Sequence, residues 1–277
     1  MSGYAEGVLT LLAINVVLAY GAFLPMAAGQ LNLGVAGFAA IGAYASAILS
    51  NHGLPPLLAI PAAALAAGLV GLVVAVPVLR TRGIYLALAT FALGQVVQAT
   101  LLNIGFIGGA AGYPVTSYLS GLVVVAFAVA VLAIVCVLFS TRFGISVTAV
   151  HDDERVADLM GLDTWAFQVA AFALGAAIAG VGGALYAHHF SFIEAQYFGI
   201  SLSITIVLYV IFGGTQTVLG PLVGATVFTL LPELMRASAQ WRYIVFAAII
   251  IVMMVIRPQG LITGAQLRRL FGGGARV

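Results

Sequence analysis

Formal charges are almost absent from the first half of this chain and then crowd into one short stretch. Residues 7–79 and 83–141 carry no Asp, Glu, Lys or Arg, whereas six charged side chains lie within residues 152–163. One charged side chain at the centre of a bilayer costs roughly 2.5–3.5 kcal/mol on insertion scales. The uncharged stretches can therefore lie in lipid, but the charged stretch must lie in water.

The composition agrees with a membrane protein. The 277 residues are 63% hydrophobic and 6% charged, whereas soluble domains carry about 25% charged residues. Because a spanning helix needs about 20 apolar residues, we expect an all-α, polytopic transmembrane helical bundle of eight or nine spans. We expect one domain over residues 1–277, without an attached soluble domain. The net charge of +2 gives no indication of nucleic-acid binding.

Nine apolar runs predict the helices. The second, seventh and eighth runs are short or glycine-rich, which predicts broken or re-entrant helices that protein or a water-filled cavity must cover. The short link at Gly29–Gln30 predicts a tight hairpin between the first two runs. The runs cover residues 8–28, 31–50, 57–79, 84–102, 119–139, 166–188, 198–213, 218–234 and 242–256.

The positions of arginine predict the orientation. Eight of the ten arginines fall at 80–82, at 142–155 and after residue 256, whereas Arg236 and Arg242 weakly violate this pattern. Short loops rich in basic residues face the cytoplasm. We therefore expect these three regions, including the C-terminus, to be cytoplasmic.

Several kinds of chemistry are disfavoured. The chain has no lysine, and a Walker A loop needs one to reach the phosphates of ATP. Its one cysteine, Cys136, lies in an apolar run and cannot form an internal disulfide. Adjacent His188 and His189 point about 100° apart on a helix, so they are poor joint metal ligands even with Glu194 nearby. We expect no catalytic residue, no metal site and no cofactor bound by this chain.

The charged stretch predicts a short docking helix. Asp152 is a favourable N-cap, and Asp153, Glu154 and Arg155 would follow in the first turn, where acidic side chains favour the positive helix end. Gly161 suits the left-handed position after a helix. The apolar side chains would share one face of this helix, which we expect to extend about two and a half turns. They are Val156, Leu159 and Met160.

This helix is expected to contact a partner protein rather than lipid. Interfacial helices usually carry basic residues on the polar face, whereas this one is acidic and would be repelled by anionic lipid. The loop that contains it, about 142–165, is expected to be cytoplasmic.

The order of several short motifs resembles the branched-chain (hydrophobic) amino acid permease family of ABC importers, and in particular the longer of its two membrane subunits. The resemblance extends from about residue 21 to residue 261. The motifs are Gly29–Gly34 with Gly42–Tyr44, Leu79–Gly83, Arg142–Gly144, Asp152–Gly161, Ala184–His188, Gly213–Gly214 with Gly220–Pro221, and Arg257–Leu261.

The resemblance implies an assembly in the cytoplasmic (inner) membrane of a bacterial-type cell. It implies a second permease subunit, which gives a heterodimer, two cytoplasmic ATPases that bind ATP and Mg²⁺, and an extracytoplasmic solute-binding protein. The 152–161 helix would contact an ATPase, with Asp152, Asp153, Glu154, Arg155, Leu159 and Gly161 as the coupling residues.

Polar residues within apolar runs are candidates for the substrate pathway, because such residues are costly in lipid. Each could instead form an interhelical hydrogen bond. The candidates are Gln30, Asn32, Tyr44, Gln95, Gln98, Gly108 and Gly109.

Three features depart from the family pattern. Val35 stands where the family often has His or Gln, Gln95 and Gln98 stand where an acidic residue and an arginine are expected, and Ile107 replaces the threonine of a Thr-Gly-Gly pattern. Either the solute is not an ordinary zwitterionic amino acid, or the second permease supplies the polar contacts.

Two other functions remain open. An ion- or proton-coupled secondary transporter would usually place an ionisable group near the bilayer midplane. None is evident there, since Glu194 and Glu233 fall near predicted helix ends. A channel-like membrane subunit is the third alternative.

Overall fold

The computed structural model describes residues 3–234 and Leu261. Ten helices follow one another, joined by short 3₁₀ turns and two two-residue strands, β1 (Tyr113–Pro114) and β2 (Phe192–Ile193). The helices are α1 (Gly3–Ala27), α2 (Val35–Asn51), α3 (Pro56–Val78), α4 (Ile84–Asn103), α5 (Gly121–Ser140), α6 (Arg142–Asp152), α7 (Glu154–Leu159), α8 (Thr164–Phe190), α9 (Ile200–Gly213) and α10 (Gly220–Leu234).

The all-α membrane fold is confirmed. Five helices (α1, α3, α4, α5 and α8) are long and apolar enough to cross a bilayer, and α2 and α9 are shorter apolar helices. The predicted runs from 8 to 234 each correspond to a helix in the structure. The ninth predicted run, 242–256, lies outside the described residues.

Helix α8 lies at the centre of the bundle and packs against α1, α2 and α3. Small residues allow this packing: a Cβ on Gly42 of α2 would overlap the backbone of Gly180, and one on Gly183 would overlap the backbone of Ala39. Lipid tails are as apolar as leucine side chains, so helices associate in a bilayer mainly through such close packing.

The predicted tight hairpin between α1 and α2 is wrong. Helix α1 ends at Ala27 and α2 begins at Val35, and the seven-residue link 28–34 (the α1–α2 link) lets the two helices diverge. Both helices contact α8 far more than each other. The link is held at its far end, where the Leu33 N–H donates to Thr90 Oγ1 at 3.0 Å.

Helix α9 is shorter than the membrane is thick. Its 14 residues extend about 21 Å at 1.5 Å per residue, against a hydrocarbon core of about 30 Å. The turn between α9 and α10 contacts α1, because Tyr20 Oη donates to the Val218 carbonyl at 2.8 Å. Further along α10, Asn15 Nδ2 donates to Thr229 Oγ1 at 3.0 Å. The length of α9 agrees with the short seventh helix expected from the sequence.

The strap, residues 113–119, closes the end of the bundle where α2 and α8 finish. Its strand β1 pairs antiparallel with β2. Buried His188 joins the strap to the helices: its Nε2 lies 2.7 Å from Ser46 Oγ of α2, and its Nδ1 lies 2.8 Å from Ser117 Oγ of the strap. Ser50 extends this chain, with its Oγ 2.6 Å from Ser117 Oγ.

The contact between α2 and α8 predicts that Gly42→Ala will destabilise the bundle. The new methyl group would overlap the Gly180 backbone, and relieving such overpacking costs about 1–3 kcal/mol. Thermal unfolding in mild detergent should show a lower Tm. Gly7→Ala in α1 is the matched control, because nothing lies within 4 Å of a Cβ there. Equal Tm values for the two variants would contradict this packing.

The His188 contacts predict a second loss of stability. His188→Ala would leave the Ser46 hydroxyl buried without its partner, which costs about 1–3 kcal/mol. His189→Ala is the control, because that half-buried neighbour makes one side-chain hydrogen bond among the described residues, from Nδ1 to the Leu119 carbonyl, beside ring contacts with Tyr118 and Phe190. The Tm should fall clearly more for the His188 variant, and a larger fall for His189→Ala would contradict the arrangement.

Candidate functional site

Residues 142–159, which include most of the charged stretch, form two helices with a sharp break between them. Helix α6 extends to Asp152, and α7 begins at Glu154. Asp153 is the N-cap of α7, with Oδ1 accepting from the N–H groups of Arg155 (2.9 Å) and Val156 (3.1 Å). The prediction that Asp152 is the N-cap is therefore wrong, because that residue completes α6. The region 142–165 is mostly helical rather than a loop.

Helix α7 is shorter than expected, with six residues, and it projects from the bundle. Ala157 is its one buried residue. The apolar side chains expected on one face are all exposed, with Leu159 85% exposed, Met160 81% and Val156 54%. Such exposure of large apolar residues is typical of an interaction surface.

The predicted coupling residues surround this apolar surface. Asp152, Asp153, Arg155 and Gly161 are exposed, and Glu154 is half-buried. Gly161 has φ +85°, so the prediction of a left-handed residue after the helix is confirmed. Its N–H donates to the Asp158 carbonyl at 2.9 Å, which closes the C-terminal end of α7.

Helix α7 contacts the turn between α3 and α4. Arg82 Nη2 donates to Glu154 Oε1 at 3.1 Å. This ion pair agrees with the orientation expected from the arginines, because it places the 80–82 turn and the charged stretch at the same end of the bundle.

Two candidate pathway residues lie in the α1–α2 link with polar atoms that lack partners. Gln30 is 3% exposed and Asn32 is 1% exposed. Both side-chain polar atoms of Gln30 and the Nδ2 of Asn32 have no hydrogen-bond partner among the described residues. Asn32 Oδ1 accepts from the Gly34 N–H at 2.8 Å, so the unpaired Nδ2 lies beside the start of α2. Buried unpaired polar atoms cost stability, so they indicate a functional position.

A third residue with an unpaired polar atom lies further along, in α2. Tyr44 is 3% exposed, and its hydroxyl has no partner within the described part of the chain. Its ring lies 6.4 Å from that of Tyr113 in the strap. Nearby aromatic residues stack at the same end, with the rings of Tyr186 and Tyr197 4.2 Å apart. Burial raises the pKa of the Tyr197 hydroxyl, so this residue stays neutral.

Gln95 and Gln98 lie on one side of α4, but Gln98 makes structural contacts. Its Nε2 donates to the carbonyls of Ala195 (3.2 Å) and Gln196 (3.3 Å). These bonds fix the loop that leads into α9. Gln95 is half-buried, one turn nearer the middle of the bilayer.

Gly108 and Gly109 shape the loop after α4. They have φ +83° and +51°, and a Cβ on Gly108 would overlap the backbone of Gly112. Glycine is required here by the backbone, so these two residues determine the shape of the loop. None of the unpaired buried polar atoms of the described residues belongs to this loop.

One polar residue escaped the sequence analysis. Gln216 is exposed in the turn between α9 and α10, two residues before Val218, whose carbonyl accepts from Tyr20 of α1. A glutamine beside a membrane-spanning helix is expected to face water or protein rather than lipid. The signal was available in Gly213–Gly214, which marks a helix end, followed by the polar residues Thr215–Thr217.

A metal centre finds no support in the described residues, which contain no group of three or more His, Cys, Asp or Glu side chains that could hold an ion. His188 is occupied by its contacts with Ser46 and Ser117.

Comparison with known proteins identifies the family. The family described as "Branched-chain amino acid transport system / permease component" matches residues 4–256. The permease protein LivM of the high-affinity branched-chain amino acid transport system of Escherichia coli (strain K12) is 30% identical, over 96% of this chain and 72% of LivM.

Two further relatives match shorter parts. LivH, a permease protein of the same transport system in E. coli K12, is 24% identical over 51% of this chain and 46% of LivH. The nucleoside ABC transporter permease protein NupC of Lactococcus lactis is 40% identical over 20% of this chain and 17% of NupC. No solved structure shows significant similarity to the chain.

The match to LivM covers nearly the whole chain, whereas the match to LivH covers half of it. The similarity expected from the sequence motifs is therefore confirmed, and a secondary transporter or a channel is not favoured. The chain belongs to the branched-chain amino acid transport system permease family, and it is a LivM-like membrane permease subunit of an ABC importer.

Proposed function

We propose that this subunit forms half of a path for a branched-chain or other hydrophobic amino acid, or a related small organic solute, and that α7 couples the path to a separate ATPase. The observation that carries the proposal is the projecting α7, with Leu159 and Met160 more than four-fifths exposed in a member of an importer permease family. Its apolar side chains fit a groove on a partner, and the acidic residues before it disfavour a lipid surface.

The proposed assembly contains four membrane and motor subunits. The second permease would be LivH-like, because the relatives LivM and LivH are both permease proteins of one transport system. Two ATPases would bind ATP and Mg²⁺ in the cytoplasm, and a solute-binding protein would deliver the solute from the other side. The chain itself has no lysine for a Walker A loop, so it would bind no nucleotide.

The proposed location is the inner membrane of a bacterial-type cell, with α7 and the C-terminus in the cytoplasm. The Arg82–Glu154 contact at 3.1 Å supports a common side for the two charged regions. The C-terminus is assigned to that side by its arginines alone.

The proposed path passes the polar interruptions of the bundle. The α1–α2 link carries unpaired Gln30 and Asn32, and Tyr44 carries a third unpaired group toward the strap. Gln95 of α4 and Gln216 of the α9–α10 turn add polar side chains at membrane depth. The second permease would complete the lining, since these side chains cover one side of a path.

The class of function is tested by purification in mild detergent and reconstitution. Two ATPases and a second permease should copurify with this chain, and vesicles that contain the assembly should take up radiolabelled leucine when supplied with ATP and binding protein. Neutral and aromatic solutes are tested as competitors, because this chain lacks charged groups in the middle of α4. Uptake driven by an ion gradient without ATPases would contradict the proposal.

Truncation of the apolar surface of α7 should uncouple the assembly. Leu159→Ala removes an exposed side chain that would be buried in the ATPase, and interface anchors of this kind cost about 2 kcal/mol or more, close to a 30-fold loss of affinity. ATPase retention on the purified permease pair is the measurement.

Ile84→Ala at the start of α4 is the matched control, because Ile84 is 70% exposed at the same end of the bundle. Equal ATPase retention in the two variants would show that Leu159 is not an anchor.

Replacement of the polar side chain in the α9–α10 turn should slow uptake without releasing the ATPases. Gln216→Leu removes a hydrogen-bonding group from the path, and the expected loss is about tenfold in initial uptake rate, since one neutral hydrogen bond contributes about 0.5–1.5 kcal/mol. Gln216→Asn keeps the amide and should retain most activity. Normal uptake by the leucine variant would exclude Gln216 from the path.

A further inference from the structure

A polar cavity lies where α7 meets the start of α4, directly below the α1–α2 link. Its volume is about 350 Å³, enough for several water molecules or a small solute. Six polar side chains are found among its lining residues. They are Gln30, Thr81, Arg82, Glu154, Thr164 and Gln168.

The cavity has an unpaired polar group at its inner side and an ion pair at its rim. Gln30 is 97% buried by the surrounding protein, being 3% exposed, and its amide has no partner among the described residues. Arg82 and Glu154 both line the cavity and are joined at 3.1 Å. The two side chains come from different elements, the α3–α4 turn and α7.

We infer that the Arg82–Glu154 ion pair is a cytoplasmic latch, which holds α7 against the α3–α4 turn beside this cavity and separates when α7 is displaced. The inference rests on the proposed function, because displacement of α7 requires an ATPase that grips it. It assigns Glu154 a role within this chain, toward Arg82, rather than a direct contact with the ATPase.

The geometry suits a contact that forms and breaks in each cycle. The Arg82 side chain is 76% exposed and that of Glu154 is 32% exposed, so water screens the pair and its separation is energetically easy. Gly83 follows Arg82 with φ +59°, a conformation that glycine adopts without strain, and nothing lies within 4 Å of a Cβ at this position. The turn can therefore move without disturbing a packed neighbour.

Charge exchange tests the latch in the reconstituted complete assembly. Arg82→Glu and Glu154→Arg each place like charges at the rim, and each should lower ATP-driven uptake by roughly fivefold while raising ATP hydrolysis in the absence of solute. The double variant Arg82→Glu/Glu154→Arg restores opposite charges and should recover most of both activities. Tm measurements on all three variants confirm that the subunit is folded.

The outcomes separate the latch from the proposed function. Loss of uptake in Glu154→Arg that the second charge change does not recover, with Arg82→Glu normal, would show that Glu154 contacts the ATPase directly. Normal uptake in all variants would also overturn the latch. Both results leave the proposed function intact, whereas a wild-type assembly without ATP-driven uptake would refute that function itself.

Reversible crosslinking provides a second measurement. Arg82→Cys/Glu154→Cys is made in a Cys136→Ser background, because Cys136 is an exposed thiol, and is treated with a short bifunctional thiol reagent that a reductant can cleave. Crosslinking should stop uptake, and reduction should restore it. Each single-cysteine variant treated in the same way is the control. Uptake that continues in the crosslinked protein would overturn the latch.

Discussion

The cost of leaving a polar group unpaired inside a bilayer governs this structure. It keeps charged side chains out of the middle of the long helices, and it requires each break in a helix to find hydrogen bonds within the protein. Tyr20 supplies one at the Val218 carbonyl, and Thr90 supplies another at the Leu33 N–H. Against this background the unpaired atoms of Gln30, Asn32 and Tyr44 are exceptions, which is why they indicate a path for a polar or zwitterionic solute.

Close packing around α8 provides the rigid body on which the moving parts depend. Helices α1, α2 and α3 approach α8 through glycine and alanine, and such contacts tolerate no added side chain. His188 fixes the far end of α8 to α2 and the strap. By contrast, α7 buries only Ala157. Few contacts would therefore resist a displacement of α7. Among the described residues, the Arg82–Glu154 ion pair is the one such contact between charged side chains.

Much of the fold could be predicted from the sequence, because in lipid the length of an apolar run and the position of charges decide which segments cross. The runs at 57–79 and 84–102 correspond to α3 (Pro56–Val78) and α4 (Ile84–Asn103) within a residue or two. Local errors arose where two residues compete for one role. Asp152 and Asp153 are both good N-caps, and the choice depends on α6, whose mixed composition gave no strong signal.

The site was less accessible to prediction, because hydrogen-bond partners depend on tertiary packing. Gln30 and Gln98 were both candidates for the substrate pathway, yet the Gln98 side chain donates to two loop carbonyls, whereas the side-chain amide of Gln30 has no partner among the described residues. Likewise, the contact between Arg82 and Glu154 joins residues 72 positions apart. The charge pattern placed them on the same side of the membrane but could not bring them together.

The α1–α2 link joins the cavity beside α7 to the start of α2, which contacts α9. A displacement of α7 can therefore be transmitted toward the middle of the membrane. The α1–α2 link begins beside the cavity at Gly29 and Gln30 and ends at the start of α2. There the Ala36 N–H donates to Ser203 Oγ of α9 at 3.1 Å. In the proposed mechanism, displacement of α7 would shift the link. Since α2 and α9 are joined through buried Ser203, that shift would reach α9 and the turn that carries Gln216. A change at the cytoplasmic end would thus alter the polar groups at membrane depth through a continuous series of contacts, as coupling between two discrete arrangements requires.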